Sequence, residues 1–312
     1  VEKLISCFFY KNNLNIFGYS FKDDSTLNRL EVIFSKGKQT HNIKTSTQLG
    51  MPTNGACLEK LFEFTSFSNF KKISKLNGKA DILLVRHVLE HSWDIENFLD
   101  CLKLLINKEG LIVFEIPDCE TGLKSGMQTL LWEEHASYFT EESLKNVLNK
   151  NGFRIEKILR YPNQIEDSIV VITKLDNQKV SFNSEKKGEF LLKTFSDKFE
   201  KNKLKIRNEI KKMISLGYKI CMFGAGHHAS SFVSINKISD YVDFVVDDNE
   251  FKQEYNLAGS EIPILSSSAL SKKDIPIFLL LTTNPEIDNK LKTIIKDINE
   301  FIVIKSIFDF YK

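Results

Sequence analysis

The stretch ADILLVRHVLEHSWDIENFLDCLKLLINKEGLIVFEIPD, residues 80–118, decides the fold class. ADILLVR is a continuous apolar run, as expected for a strand buried on both faces. Behind it, Ile95, Phe98, Leu99, Leu102 and Leu105 recur at helical spacing, with Asp94 placed to cap the first turn. NKEG stops that helix, and LIVFEIP reads as the next buried strand. Two fully apolar strands joined by one amphipathic helix make a parallel unit covered on both sides.

Working outward, LNIFG (14–18) and LEVIF (30–34) read as earlier strands. TEESLKNVLNKNGF (140–153) starts on a capping box at Thr140, with Ser143 or Glu142 as its partner, and closes on Gly152. FRIEKILRY and DSIVVITK then supply a terminal strand pair. A polar, aperiodic boundary falls near residues 175–187. A charged helix follows to about Leu216, with Phe190, Leu191, Phe195, Phe199, Ile206, Ile210 and Ile214 spaced for one face. YKICMFGAGHHASSF opens a second unit, continued by the strands YVDFVVD, IPIFLLLTT and FIVIKSI. The expected class is α/β: two Rossmann-like doubly wound domains in tandem joined by a long helix. The expected boundaries are 1–175, 176–216 and 217–312.

With 312 residues, two cores are the natural expectation. A net charge of +2 with both signs interspersed gives no nucleic-acid footprint. No apolar run approaches the roughly 20 residues of a membrane span. The opening VEKLISCFFYKNN lacks the form of a secretory signal and does not start with Met, so a fragment or a processed chain is expected. Cys7, Cys57, Cys101, Cys119 and Cys221 form no CxxC pair, and an odd, scattered set suits a reducing cytoplasm. The heavy use of Lys, Asn, Ile and Phe suggests an AT-rich bacterial genome.

Ligands of open α/β sheets bind beyond the carboxyl ends of the strands. That rule selects Gly18, Tyr19 and Ser20 after the first strand, and Arg86, His87, Glu90 and His91 after ADILLV. His87-x-x-Glu90-His91 matches the inverted zincin pattern, but a turn lining a cofactor cleft is the expected reading directly after a buried strand. WEEHASYF carries Glu133, Glu134, His135 and Tyr138: either a base poised by its carboxylates or a solvated surface turn. Gly224-Ala225-Gly226 with Asp247 either holds a phosphate and a ribose or serves only tight strand-to-helix packing.

The run from LGMPT (49–53) through DILLVRHVLEHSWDIENFL and GLIVFEIPD to EEHASYFTEESLKNVLNKNGF resembles the sugar C-methyltransferases, with Glu134, His135, Tyr138 and Phe139 on that family's Glu-His-x-x-Tyr-Phe signature. FGAG, FVVDDNEFKQ, LAGSEIPI and LLLTTNPEI are similar to the same family's C-terminal domain. The resemblance implies S-adenosylmethionine as cofactor, bound near Gly18, Tyr19, Ser20, Arg86, His87 and His91. It implies a nucleotide-linked keto sugar as acceptor, with Trp132, Gly224, Gly226, His227 and Asp247 as its contacts. His135 is then the base that makes an enolate, Glu134 its partner or a sugar contact, and Tyr138 a further catalytic residue. No metal, nucleic acid or membrane partner is implied.

The chain departs from the family in several places. It lacks the N-terminal zinc cysteines, and Trp132 stands where a phenol is expected. IEDSI (165–169) replaces a Gly-Gly-Ser-Leu-Arg run, and Ser35 and Lys36 stand where an acid is expected to hold the ribose. A second reading therefore stands beside the first: a non-catalytic relative that binds a nucleotide or sugar or assists a partner enzyme.

Overall fold

The computed structural model describes residues 13–52, 57–162, 166–176, 185–271, 276–283 and 285–312. Cys7, Thr53, Ile165 and Asn284, used in the reading above, lie outside them. The chain forms two compact units, residues 1–119 with 133–185 and residues 120–132 with 186–312.

The first unit contains β1 (Asn15–Gly18), α1 (Phe21–Lys36), β2 (Asn42–Lys44), α2 (Ser46–Leu49), α3 (Leu58–Phe64), α4 (Phe67–Asn77), β3 (Ala80–Arg86), α5 (Ile95–Leu105) and β4 (Ile106–Asp118). After the excursion into the second unit come α7 (Glu141–Lys150), β5 (Phe153–Tyr161) and β6 (Asp167–Leu175); α6 (Glu120–Ser125) belongs to the excursion. The six strands lie in the order β2-β1-β3-β4-β6-β5. β2, β1, β3 and β4 run parallel, and β6 and β5 pair antiparallel at the far side. Side-chain alternation splits the core in two. Phe17, Leu83, Val85 and Phe114 join one face, and Ile16, Ile82, Leu84 and Val113 the other.

LEVIF is not a strand. It lies inside α1, where a capping box between Ser20 and Asp23 starts the helix and Leu27, Leu30 and Phe34 recur at helical spacing. A five-residue apolar run has no period of its own, and the cap decides. NKEG likewise belongs to β4, because α5 passes into that strand at Ile106 without a loop. Thr140 and Ser143 form the expected capping box of α7.

The second unit contains α8 (Glu185–Ser215), β7 (Lys219–Phe223), α9 (His227–Asn236), β8 (Phe244–Val246), β9 (Ile264–Leu265), β10 (Ile277–Leu281), α10 (Pro285–Ile298) and β11 (Ile302–Ser306). Its five strands run parallel in the order β11-β10-β7-β8-β9. The long helix α8 belongs to this unit and buries Leu191, Ile206 and Ile210, but Phe190 and Ile214 face solvent, so the expected stripe is narrower than its spacing implied. Segment 120–132 joins it through Asn202 Nδ2, which donates to the carbonyls of Ser125 and Gly126, and Gln128 Nε2, which donates to that of Phe199. Among the described residues, no helix is long and apolar enough to cross a membrane.

Candidate functional site

In the first sheet the chain turns from β2 back to β3 across β1, so the switch point lies between β1 and β3. Gly18 sits at its floor for packing. A Cβ there would stand 2.8 Å from Leu27 Cδ1 and 2.9 Å from Asp23 Cβ, so only glycine lets α1 close onto β1. The Tyr19 side chain packs into the core. Strand alternation turns its side chain inward, where it is fully buried against Phe70 and Phe98 with its hydroxyl 2.8 Å from Thr65 Oγ1. Burial raises its pKa. Ser20 is the N-cap of α1, its hydroxyl accepting from the Lys22 amide.

Around this floor runs a connected charged network in which Arg86, His87, Glu90 and His91, expected from the sequence, are joined by Lys22, Asp23 and Glu115, which were not. Asp23 is fully buried and accepts from the amides of Ser20 (2.8 Å) and Arg86 (3.1 Å). Burial pushes its carboxyl up to about 7 against those hydrogen bonds. Arg86 donates through Nε to Glu115 Oε2 (2.6 Å) and through Nη1 to the Lys22 carbonyl and Thr26 Oγ1, so it braces the loop. His87 sits at φ 52°, its amide tied to the Glu115 carbonyl. Its ring lies 3.6 Å from Glu115 and 3.7 Å from Glu90. Burial works against the imidazolium, but the two carboxylates prevail and raise His87 to about 9. Hydrogen bonds from His87 and Arg86 overcome the opposing effect of burial and hold Glu115 at about 2. A signal for this pair was present: Arg86 and Glu115 stand opposite each other in the β3–β4 register, each inside an otherwise apolar run.

His91 is buried, and its Nδ1 contacts the Glu134 carbonyl at 2.8 Å. A carbonyl can only accept, so Nδ1 carries the proton and Nε2 presents its lone pair 3.4 Å from Lys22 Nζ. Burial and the Lys22 ammonium keep this imidazole neutral by lowering its pKa. The His135 ring packs edge-on to His91 with centroids 4.8 Å apart, and Tyr138 packs edge-on to His135 at 5.9 Å. The Ser137 amide donates to the Glu90 carbonyl, which pins the EHASY turn against the end of β3. One atom each of Glu90, His91 and His135 lies within 4.8 Å of the others, a set that could hold a metal ion. His87 and His91 do not form a zincin pair, because the segment between them makes only the three-residue turn Leu89–His91.

Farther along the edge, Asp118 is buried with Arg160 Nη1 at 2.9 Å, and Glu166 precedes β6 beside it. Burial, then the nearby Glu90 and Asp118 charges, push Glu166 up to about 7. On the other flank, β2 ends at Lys44, whose Nζ donates to Asn77 Oδ1 and lies over the Phe17 ring. Ser35 and Lys36 close α1 and do not mark a strand end. An acid from α1, Asp24, reaches the end of β2. Asp24 accepts from the Ser46 amide just past β2, while Asp24 Oδ1 and Ser46 Oγ are buried without a hydrogen-bond partner among the described residues.

The remaining expected contacts lie in the second unit. Trp132 packs on His227 (centroids 5.2 Å), His227 on His228 (5.6 Å) and His228 on Phe308 (5.4 Å), an aromatic ladder beside the first turn of α9. Burial, then His227, drives His228 down to about 4, so it is neutral. Gly224 adopts φ +96°, and a Cβ there would meet Thr282 Oγ1 at 2.8 Å, whereas a Cβ on Gly226 would point into open space. Asp247 braces the turn: Oδ2 accepts from the Ala225 amide (2.9 Å) and Lys252 Nζ (2.8 Å), and Oδ1 from the Asn249 amide. Thus the expected donor and base residues gather in the first unit, and the expected acceptor contacts gather in the second.

A methyl donor of the S-adenosylmethionine type needs a partner for its ribose diol and for its charged amino-acid end. The orphaned oxygens of Asp24 and Ser46 beyond β2, and Lys22 and Glu90 beyond β1 and β3, are groups of the required kind.

Comparison with known proteins bears on the same residues. Residues 39–158 match the model of a methyltransferase domain, and residues 174–304 that of the C-methyltransferase C-terminal domain. The chain is 24% identical over 249 residues to the C-methyltransferase NovU of Streptomyces niveus, covering 75% of this chain and 59% of NovU. It therefore spans about three fifths of that relative's length. Among solved structures, a SAM-dependent methyltransferase from Aquifex aeolicus aligns at 12% identity and TM-score 0.34, covering 56% of this chain and 88% of its own. The Burkholderia thailandensis 1,6-didemethyltoxoflavin-N1-methyltransferase aligns at 11% and 0.35, covering 56% and 76%. The chain thus carries an S-adenosylmethionine-dependent methyltransferase domain followed in order by the C-methyltransferase C-terminal domain.

Proposed function

We propose that the chain is a C-methyltransferase that methylates a nucleotide-linked keto sugar at the carbon beside the ketone, with His135 as the general base. The observation that supports this reading is the His91–His135 pair, His91 lying in the turn that follows β3. A buried, neutral His91 fixed by the Glu134 carbonyl holds the EHASY turn and its histidine in place.

Carbon is a weak nucleophile until a neighbouring carbonyl lets its proton leave, so the reaction needs a positioned base. His135 takes that proton, and the electron pair moves onto the ketone oxygen as an enolate. When bound, S-adenosylmethionine supplies an electrophilic methyl group on sulfur. The protein's share is to orient the carbon and exclude water. Glu134 and Tyr138 flank the base; within the second unit, the Trp132–His227 ladder and the first turn of α9 are groups suited to a nucleobase and a phosphate. The second reading, a binder without transferase activity, rests on β2 ending at a cation, Lys44, where the resemblance expects an acid.

Proton exchange separates the two. With a thymidine-diphosphate keto sugar and S-adenosylhomocysteine in deuterium oxide, NMR should show exchange of the proton beside the ketone. His135→Asn should slow that exchange by about 10²–10⁴-fold. A wild-type chain that binds both ligands yet exchanges nothing has no base in the proposed place.

A further inference from the structure

Lys22 occupies an unusual position. It lies in the first turn of α1, where the helix dipole favours anions, and it is partly withdrawn from water. Burial lowers the pKa of its ammonium, while Glu90, Glu134 and Asp23 counter that effect. Nζ donates to the His87 carbonyl (2.7 Å) and stands 3.4 Å from His91 Nε2. Those contacts use two of its three N–H directions, and the third has no partner among the described residues. Glu90 Oε1 lies 3.9 Å from the same His91 Nε2. The Glu90 side chain is only 3% exposed, and its Oε2 lacks a hydrogen-bond partner among the described residues. A partly buried cation and a buried carboxylate, each with an open valence, therefore stand 3.4 and 3.9 Å from one imidazole nitrogen. Leaving such groups unsatisfied costs about 1–3 kcal/mol each, more for charged groups. A helix N-terminus gives no structural reason to keep a lysine there.

We propose that Lys22 and Glu90 together read the amino-acid end of the methyl donor, Lys22 taking its carboxylate and Glu90 its ammonium. The inference rests on the methyltransferase reading and makes this pair a zwitterion receptor at the β1/β3 crevice. It places the donor's charged end against His91, leaving the EHASY turn for the acceptor.

The test compares two ligands by calorimetry on the full chain: S-adenosylhomocysteine, which carries the amino-acid end, and 5′-methylthioadenosine, which lacks it. Wild type should bind the first at least tenfold more tightly. Lys22→Met should remove most of that difference while leaving 5′-methylthioadenosine affinity within about twofold, and Lys22→Arg should restore part of it. Glu90→Gln should act in the same direction, with circular-dichroism melts confirming a folded chain. Equal losses for both ligands in Lys22→Met, or an unchanged preference, would overturn the inference while leaving the methyltransferase reading intact. A wild type that binds neither ligand would overturn the donor reading itself.

Discussion

At the residue scale, ordinary interactions decide which polar side chains are structural and which are left over. Asp23 is structural: it is the buried acceptor for two amides. Asp23→Ala would orphan both, costing about 1–3 kcal/mol for each donor left buried, measurable by urea unfolding. Gly18→Ala should cost about 1–3 kcal/mol by overpacking against Leu27. His87 and Glu115 give a pH signature. A His87 pKa of about 9, above the usual 6.5, means that its stabilisation is complete below pH 6.5 and disappears as pH rises through 9. A Glu115 pKa of about 2, below the usual 4.5, means that its contribution is complete above pH 4.5 and disappears as pH falls through 2. His87→Gln should therefore flatten the fall in stability between pH 6.5 and 9, and unfolding curves taken across that range would show it. Gly18, His91 and His135 were singled out in the sequence by strand-end position and a short signature. Lys22, Asp23 and Asp24 were not. In sequence they look like a solvated helix start, and only the approach of β3 and β2 desolvates them.

At the element scale, the continuous apolar runs and LNIFG were read correctly as strands, and LEVIF was not. β3 and the apolar half of β4 follow from continuous apolar sequence, whereas LEVIF could have been either element until the Ser20 cap assigned it to α1. That one misassignment moved the end of β2 from residues 35 and 36 to Lys44 and hid Asp24 as the acid of that corner. The start of α9 makes a separate prediction. Gly226 has room for a side chain, and an acidic residue suits a helix N-terminus, so Gly226→Asp should leave the melting temperature unchanged or slightly raised. The same charge should weaken binding of a nucleoside diphosphate sugar at least tenfold, read by calorimetry. Unchanged affinity would remove the first turn of α9 from the acceptor site.

At the scale of the whole molecule, the chain crosses between its two compact units at residues 119–120, 132–133 and 185–186. The polar boundary near 175–187 marked only the last crossing. The earlier excursion is built from ordinary turn and helix residues and carries no compositional break. A piece comprising residues 186–312 alone would lose segment 120–132 and bare the helix surface around Phe199 and Asn202. It should bind a hydrophobic dye and melt several degrees below a piece in which 120–132 is supplied in trans. The central claim, methyl transfer to carbon, is tested most directly by supplying S-adenosylmethionine labelled with carbon-13 in its methyl group together with a thymidine-diphosphate keto sugar. The account predicts a new carbon-bound methyl resonance beside the ketone, lost in His135→Asn while S-adenosylhomocysteine affinity is kept. Tight binding of both ligands with no labelled product across a panel of keto sugars would contradict it and leave a binding protein without transferase chemistry.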